Sequence, residues 1–178
     1  MPEDVVVLSR STATLDVVGK DLIVGRRATI RGQGAPPNVT VTGMVRCEED
    51  CVFECSLTST SFEGKGDITI QGDLTVKDRV RVSSGRLTVV GTVKARAIDV
   101  DRSLIVGKDV STEEIDVGGS VEVKGNTEVR NIDVGGRFSA EGEVKADKID
   151  VGGSITIQSK VDIERILVGG SAVINNGQ

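Results

Sequence analysis

The sequence predicts an all-β fold, a single-stranded parallel β-helix, or solenoid, with triangular coils of about seventeen residues. A coil here means one turn of the solenoid. Three observations predict this fold: a phrase that returns at a fixed period, apolar residues that alternate within each period, and a composition rich in glycine and β-branched residues.

The repeated phrase is Ile-Asp-Val-Gly-Gly. It begins at Ile115, Ile132 and Ile149, returns as Ile-Leu-Val-Gly-Gly at Ile166, and is preceded in phase by Ile-Asp-Val-Asp-Arg at Ile98. A fixed period that is too short for a pair of helices is typical of a solenoid in which each repeat stacks on its neighbour. The period therefore predicts that these isoleucines lie one above another.

Each repeat contains three pairs of apolar residues at positions i and i+2, as expected of short strands with one buried face. In the coil that starts at residue 149 the pairs are Ile149/Val151, Ile155/Ile157 and Val161/Ile163. The spacing predicts three strands and three tight corners per coil. Glycine pairs such as Gly135-Gly136 and Gly152-Gly153 fall on one corner, where positive φ and close backbone approach favour glycine.

The pattern predicts one β-helix domain over residues 1–178, with regular coils over about 64–178 and less regular coils over about 1–63. A loop is expected near 31–38. We count eight or nine coils, which gives a rod on the order of 40 Å long. The candidate strands before residue 63 are Leu15/Val17, Leu22/Val24, Ala28/Ile30, Val39/Val41 and Val45/Cys47.

Composition excludes several classes of function. The net charge is -5 and the basic residues are scattered, so nucleic acid is not an expected partner. The chain has no histidine, which removes the usual catalytic base and the usual zinc ligands of β-helix enzymes, and it has no Trp or Tyr for stacking sugars. No catalytic residue, metal or cofactor is expected; a lyase that uses only acids is the remaining enzymatic alternative.

The segment Val5, Val6, Val7 and Leu8 lacks the basic and long apolar regions of a signal peptide, so a cytoplasmic protein is expected. We interpret this segment as a first strand, with contact to a membrane surface as the alternative. Cys47, Cys51 and Cys55 form an odd, clustered set that does not resemble a disulfide framework. They are expected to be reduced fillers of a coil interior, with a metal site as the alternative.

Four aspartates, Asp99, Asp116, Asp133 and Asp150, occupy one outward position in consecutive coils and should form an acidic ladder. Unit charges about 5 Å apart in water repel by about 0.8 kcal/mol, so something should offset the repulsion. We expect backbone N–H groups at the Gly-Gly corner to do so, or screening by Lys148 and Arg165. The alternative is a cation-binding or lateral contact edge.

The last coil replaces the ladder aspartate with Leu167 and places Val173 where Glu122, Ser139 and Thr156 stand in earlier coils. The end of the rod therefore becomes apolar, and an uncovered β-helix end is a template for another copy. The sequence predicts a self-assembly interface formed by Leu167, Val173 and Ile174 at one end and by Val5, Val6, Val7 and Leu8 at the other.

The segments Val117-Gly-Gly-Ser-Val-Glu-Val123 and Val151-Gly-Gly-Ser-Ile-Thr-Ile157, with Gly-Asp-Leu-Thr-Val at 72–76, resemble the bactofilins, a family of polymer-forming cytoskeletal proteins. The resemblance covers about residues 64–178. It implies a right-handed β-helix without catalytic residues that joins end to end into nucleotide-independent filaments, often near membranes. The alternative is a non-catalytic scaffold subunit that docks a different cytoplasmic protein.

Overall fold

The computed structural model describes residues 3–175, which form 25 β-strands and no helix. Along the chain the strands visit three faces of a triangular coil in a fixed order, here called face 1, face 2 and face 3. Every strand pairs in parallel with the strand of the same face one coil earlier or later. The fold is therefore the parallel β-solenoid that the repeat predicts.

All strands of face 2 are short, and so are the strands of faces 1 and 3 in the N-terminal part of the chain. Face 1 contains β1 (Val5–Val7), β4 (Leu22–Val24), β7 (Met44–Cys47), β10 (Ser61–Lys65), β13 (Arg79–Ser83) and β16 (Ala97–Val100). Face 2 contains β2 (Thr12–Leu15), β5 (Thr29–Gly32), β8 (Val52–Glu54), β11 (Ile68–Ile70), β14 (Arg86–Val89), β17 (Ser103–Val106), β19 (Ser120–Val123), β21 (Arg137–Ala140), β23 (Ser154–Ile157) and β25 (Ser171–Ile174). Face 3 contains β3 (Val17–Val18), β6 (Asn38–Val41), β9 (Ser56–Ser59), β12 (Leu74–Val76) and β15 (Val93–Lys94).

Four longer strands run across face 3, bend at an exposed residue and continue along face 1. They are β18 (Val110–Val117), β20 (Thr127–Val134), β22 (Val144–Val151) and β24 (Val161–Val168). With these strands included, face 1 and face 2 each have ten strands. The rod thus has ten coils rather than the eight or nine counted from sequence, because the irregular first third contributes more coils than its pattern reveals. Ten strands at about 4.8 Å spacing give a rod about 43 Å long.

The isoleucines of the repeated phrase stack as the period predicts. Ile98 pairs in register with Ile115, Ile115 with Ile132, and Ile132 with Ile149, and each is at most 2% exposed. Burying such a side chain contributes about 1.5 to 3 kcal/mol, and ordering a residue's backbone costs about 1 to 2 kcal/mol. One coil buries too few side chains to fold alone, so stability comes from stacking.

The early coils keep the same columns in spite of a large insertion. Leu22 pairs with Val5, seventeen residues earlier, and Val45 pairs with Leu22, twenty-three residues earlier. The extra residues form the loop predicted near 31–38, which an antiparallel bridge between Gln33 and Asn38 closes at its base.

One early strand was assigned wrongly from sequence. Leu15 ends β2 on face 2, whereas Val17 begins β3 on face 3, so the two do not form one inward pair. Val18 is the buried residue of β3, and Val17 points outward and is 68% exposed. When a corner lies between two apolar residues that are two positions apart, the sequence shows the same alternation as a strand. The pattern therefore predicted one strand where there are two.

The corner between face 1 and face 2 changes its geometry along the rod. In coils 1–5 it contains one residue with positive φ, in turn Arg10, Arg27, Asp50, Gly66 and Ser84. From coil 6 onward the corner contains no positive-φ residue among those described, so the prediction that the Gly-Gly pairs adopt positive φ is wrong. Glycine is needed there for space, since the corner backbones of successive coils lie in close contact.

Candidate functional site

The C-terminal end of the rod exposes the interior of its last coil. Val161, Ile163 and Val168 of β24 are only partly buried, although Val144 and Val151, partners of the first and last in the preceding coil, are fully buried. Within the described residues β24 pairs only with β22, and β25 only with β23. The outer edges of these strands therefore present unpaired backbone groups beside an apolar surface, which is the property that lets a strand edge accept another chain.

Leu167 and Val173 occupy the outward positions that the sequence predicts. Leu167 pairs with Asp150 and Val173 with Thr156, and both are 48% exposed. Because they point outward, they lie on the sides of the last coil, at the rim of the end surface. The inward residues of β24, which form the end surface itself, were not predicted from sequence; only Ile174 among the predicted residues points into it.

The N-terminal end has a similar but more closed arrangement. Val6 and Leu8 point outward and are 60% and 74% exposed, whereas Val7 points inward and is buried. Val5 is partly buried at the end surface, together with Ala13 and Leu15, which were not predicted. Residues 1, 2 and 176–178, at the two extremes of the predicted domain, lie outside the described residues.

The acidic ladder forms with the predicted register. Asp99 pairs with Asp116, Asp116 with Asp133, and Asp133 with Asp150. At its two ends the ladder meets cations: Arg81 Nε lies 3.6 Å from Asp99 Oδ2, and Lys148 Nζ lies 4.0 Å from Asp150 Oδ2. Within the structure as described, no cation lies within 4.0 Å of the Asp116 or Asp133 carboxylate.

The middle of the ladder therefore keeps its repulsion. Partial desolvation, followed by the charges of Asp99, Asp133 and Glu114, raises the pKa of Asp116 above its usual value. The expected hydrogen bonds from the Gly-Gly corner do not form in the described chain, and the other expected source of screening, Arg165, makes no ion pair there. The Gly-Gly N–H groups instead donate to carbonyls of the preceding coil, as Gly152 N–H does to Val134.

Polar side chains at other corners accept hydrogen bonds from backbone N–H groups, as was expected of the ladder aspartates. Asp109 Oδ1 accepts a hydrogen bond from the Asn126 N–H at 2.8 Å, and Asn126 Oδ1 accepts one from the Glu143 N–H at 3.0 Å. Asp73 and Ser56 act in the same way in earlier coils. Each side chain thus fastens a corner to the next coil. The signal was present in the sequence as short polar residues beside corner glycines.

The acidic ladder belongs to a longer column, here called the face 1 ladder, which contains the central outward residue of face 1 in each of the ten coils. Its first two residues and its last residue are apolar, and every residue between them is charged. In order, the ladder is Val6, Ile23, Arg46, Glu63, Arg81, Asp99, Asp116, Asp133, Asp150 and Leu167.

The cysteines differ from the prediction. Cys47 and Cys51 form a disulfide across the corner that links face 1 to face 2, so two of the three are not reduced thiols. They approach closely because both point into the coil interior on either side of a tight turn. Cys55 is a free, buried thiol, and burial together with the charge of Glu54 raises its pKa to about 11.

A groove of about 820 Å³ runs along face 3 and the adjoining corner. Its charged lining residues are of both signs: Lys77, Lys94, Arg96, Glu113, Glu128, Arg130, Lys145, Asp147, Asp162 and Glu164. The described residues contain no group of three or more His, Cys, Asp or Glu side chains arranged to hold a metal ion, and no helix that could cross a membrane.

Comparison of the chain with protein-family models, with curated proteins and with solved structures found no match in any of the three.

Proposed function

We propose that this chain is a structural, self-assembling protein that joins end to end into nucleotide-independent filaments, as the bactofilins it resembles do. One observation carries the proposal: within residues 3–175, both end coils leave apolar interior side chains and strand edges uncovered. A monomeric protein rarely leaves such a surface without a partner. The proposed role is non-catalytic, and the proposed partner is another copy of the chain.

The physical gain from stacking is the same as within the rod. Val161, Ile163 and Val168 are half-buried at the C-terminal end, and another coil would remove the remaining surface from water. Completing the burial of each such side chain contributes about 1 kcal/mol. Strand pairing across the joint would satisfy the free backbone groups of β24 and β25, as it does between all earlier coils.

A pelleting assay without nucleotide tests the proposal. The doubly substituted variant Leu167→Asp/Val173→Asp puts charge on the rim of the C-terminal end. The fold should tolerate Leu167→Asp, because aspartate occupies that ladder position in the four preceding coils. We expect wild-type protein to sediment and the variant to remain in the supernatant.

The matched control is Thr156→Asp, which adds a charge directly beneath Val173, one coil inside the rod. It should sediment like the wild type. If the double variant sediments as fully as the control, the joint does not use this rim, and if wild-type protein never sediments at high concentration, end-to-end assembly is wrong.

The alternative is a non-catalytic scaffold subunit that docks a different cytoplasmic protein or a membrane surface. The outward exposure of Leu8 and Val17 favours it, since these side chains lie beside the end surface and a stacked coil would not cover them fully. A chain that stays monomeric in the pelleting assay but binds through Leu8 and Val17 would support this alternative.

A further inference from the structure

Face 1 carries charge in an ordered way that end-to-end stacking does not use. Coils are numbered by their face 1 strand, so that β1 belongs to coil 1 and β24 ends in coil 10. The basic residues of the face 1 ladder, Arg46 and Arg81, lie in coils 3 and 5. Its aspartates occupy coils 6–9, and its apolar residues are in coils 1, 2 and 10. Apart from Glu63 in coil 4, one half of the face thus complements the other half in charge.

We propose that two copies of this chain pair face to face through face 1, with their rods antiparallel and a two-fold axis parallel to the strands between coil 5 and coil 6. In this arrangement coil 5 of one copy faces coil 6 of the other, coil 3 faces coil 8, and coil 1 faces coil 10. Both copies present the same surface, as in any isologous dimer.

The ladder residues complement one another in this register. Arg81 faces Asp99 of the second copy, and because the two residues are also an ion pair within each chain, four alternating charges surround the two-fold axis. Arg46 faces Asp133, one of the two ladder carboxylates that have no cation within 4.0 Å in the described chain. At the ends of the ladder Val6 faces Leu167, so both exposed apolar side chains lose solvent contact.

The outward column beside the ladder agrees with the same register. Arg165 in coil 10 faces the start of coil 1, where the Asp4 carboxylate lies 3.6 Å from Lys20 Nζ, and Lys148 in coil 9 faces the start of coil 2, where Asp21 Oδ1 accepts a hydrogen bond from the Met44 N–H. This column contains no like-charge contact. Along the ladder one contact is unfavourable, between Glu63 and Asp116 of the second copy.

Neighbouring arrangements bring more like charges together, and a slide by two coils, which places Arg46 on Asp99 and Glu63 on Arg81, leaves Asp150 and Leu167 outside the contact. Sliding one rod by a single coil places Arg81 on Arg81 or Asp99 on Asp99 at the axis. Parallel rods related by a two-fold axis along their length place every ladder charge on its own copy, which is repulsive at every charged position of the ladder. Like charges in direct contact oppose association and so disfavour the single-coil slides and the parallel pair, whereas contact over all ten coils favours the proposed register over a slide by two coils.

The contact area is sufficient for a specific but weak interface. Face 1 is about 43 Å long and about 13 Å wide, from ten strands of about four residues. Pairing would therefore bury about 1,100 Å² in total, near the lower end for specific complexes. Complementary surface charges at such an interface determine partner orientation and respond to salt.

Charge exchange between opposed residues tests the pairing. Arg46→Glu places a carboxylate against Asp133 at both symmetric contacts, and Asp133→Lys places an ammonium group against Arg46. Each variant alone should raise the dissociation constant of the pair, measured by sedimentation equilibrium, by at least about tenfold. An equimolar mixture of the two variants restores opposite charges at one of the two contacts and leaves the unchanged Asp133 and Arg46 paired at the other, so it should pair as tightly as the wild type.

Three controls make the result specific. Lys124→Glu and Glu141→Lys change the same charges on exposed residues outside face 1 and should pair like the wild type. Asp150→Lys mixed with Arg46→Glu should bind less tightly than the mixture of Arg46→Glu with Asp133→Lys, because Asp150 faces Ile23. Circular dichroism of each variant verifies that the rod is folded.

The proposal is overturned if wild-type protein shows no pairing, if mixing Arg46→Glu with Asp133→Lys does not tighten association, or if Asp150→Lys restores it equally well. Pairing is independent of the proposed end-to-end assembly. Filaments one rod wide would contradict the pairing alone, whereas a dimer that never elongates would contradict the filament proposal alone.

Discussion

A Cβ atom on Gly152 would lie 2.5 Å from the carbonyl oxygen of Gly135, the residue directly beneath it in the preceding coil. That oxygen belongs to the backbone, so it cannot move without distorting the stack. We expect Gly152→Ala to destabilise the rod by about 1 to 3 kcal/mol, the usual cost of overpacking. Urea denaturation measures this free energy of unfolding directly.

Ser154→Ala is the matched control, because Ser154 lies at the same corner, is half-buried, and makes no side-chain hydrogen bond among the described residues. It should change stability by no more than about 0.5 kcal/mol. Equal stability of Gly152→Ala and wild-type protein would mean that the corner backbones of successive coils do not lie in close contact.

Thr127 has a buried hydroxyl with no hydrogen-bond partner in the described chain. Its column is otherwise apolar, with Val110 and Val144 in the neighbouring coils. We expect Thr127→Val to stabilise the protein by about 1 to 2 kcal/mol, because the substitution replaces a buried hydroxyl that lacks a hydrogen-bond partner with a methyl group of similar size. The change should appear as a higher midpoint of chemical denaturation.

Thr112→Val provides the contrast. The Thr112 hydroxyl donates to the Arg96 carbonyl at 3.0 Å, so its removal should destabilise the protein by about 1 kcal/mol. Opposite signs for the two substitutions are the expected result. Loss of stability in Thr127→Val would indicate that its hydroxyl has a partner in solution.

Asp116 should make the free energy of unfolding depend on pH. Because the pKa of Asp116 is raised in the fold, the folded chain binds this proton more tightly than the unfolded chain does. Its contribution to stability therefore falls as pH rises through the range where an ordinary aspartate ionises, about pH 4, and is fully unfavourable at neutral pH. Asp116→Asn should stabilise the protein at pH 7 by no more than about 1 kcal/mol, since solvent screens an exposed charge.

The advantage of Asp116→Asn should disappear below about pH 3, where the wild-type carboxyl is protonated in both states. Thermal melts at several pH values measure the stability difference between Asp116→Asn and the wild type. Asp147→Asn, which removes a carboxylate outside the ladder, is the control. A gain that is the same at about pH 3 and pH 7 would exclude charge repulsion as its cause.

The cysteines can be counted with a thiol reagent. Cys55 is buried and its pKa is about 11, so little thiolate is available and the folded protein should react slowly. Unfolding without a reductant should release one thiol per chain, and unfolding after reduction should release three. Three reactive thiols without a reductant would contradict the Cys47–Cys51 disulfide.

Much of the regular part of the rod could be predicted from sequence. The seventeen-residue period placed Ile115, Ile132 and Ile149 in one buried column because stacking requires a constant number of residues per coil. The loop near 31–38 was also located, since Pro36 and Pro37 interrupt the apolar alternation. The same reasoning placed Leu167 and Val173 in their outward columns.

The remainder depends on three-dimensional relations that a linear pattern does not contain. An apolar residue on either side of a corner looks like a strand pair, which misplaced Val17. Glycine is needed at 135 and 152 because a Cβ atom there would lie too close to the backbone of the preceding coil. The Cys47–Cys51 disulfide requires both side chains to point into the coil interior across one corner. The inward residues Val161, Ile163 and Val168 of the end surface were missed because their columns are ordinary core columns everywhere else in the rod.

Electron microscopy of the purified protein shows most directly whether the uncovered end coils join copies of this chain. We expect unbranched filaments without added nucleotide, with an axial repeat of about 45 to 50 Å for one ten-coil rod. Isolated rods at high protein concentration, with no elongation in any salt condition, would contradict end-to-end assembly.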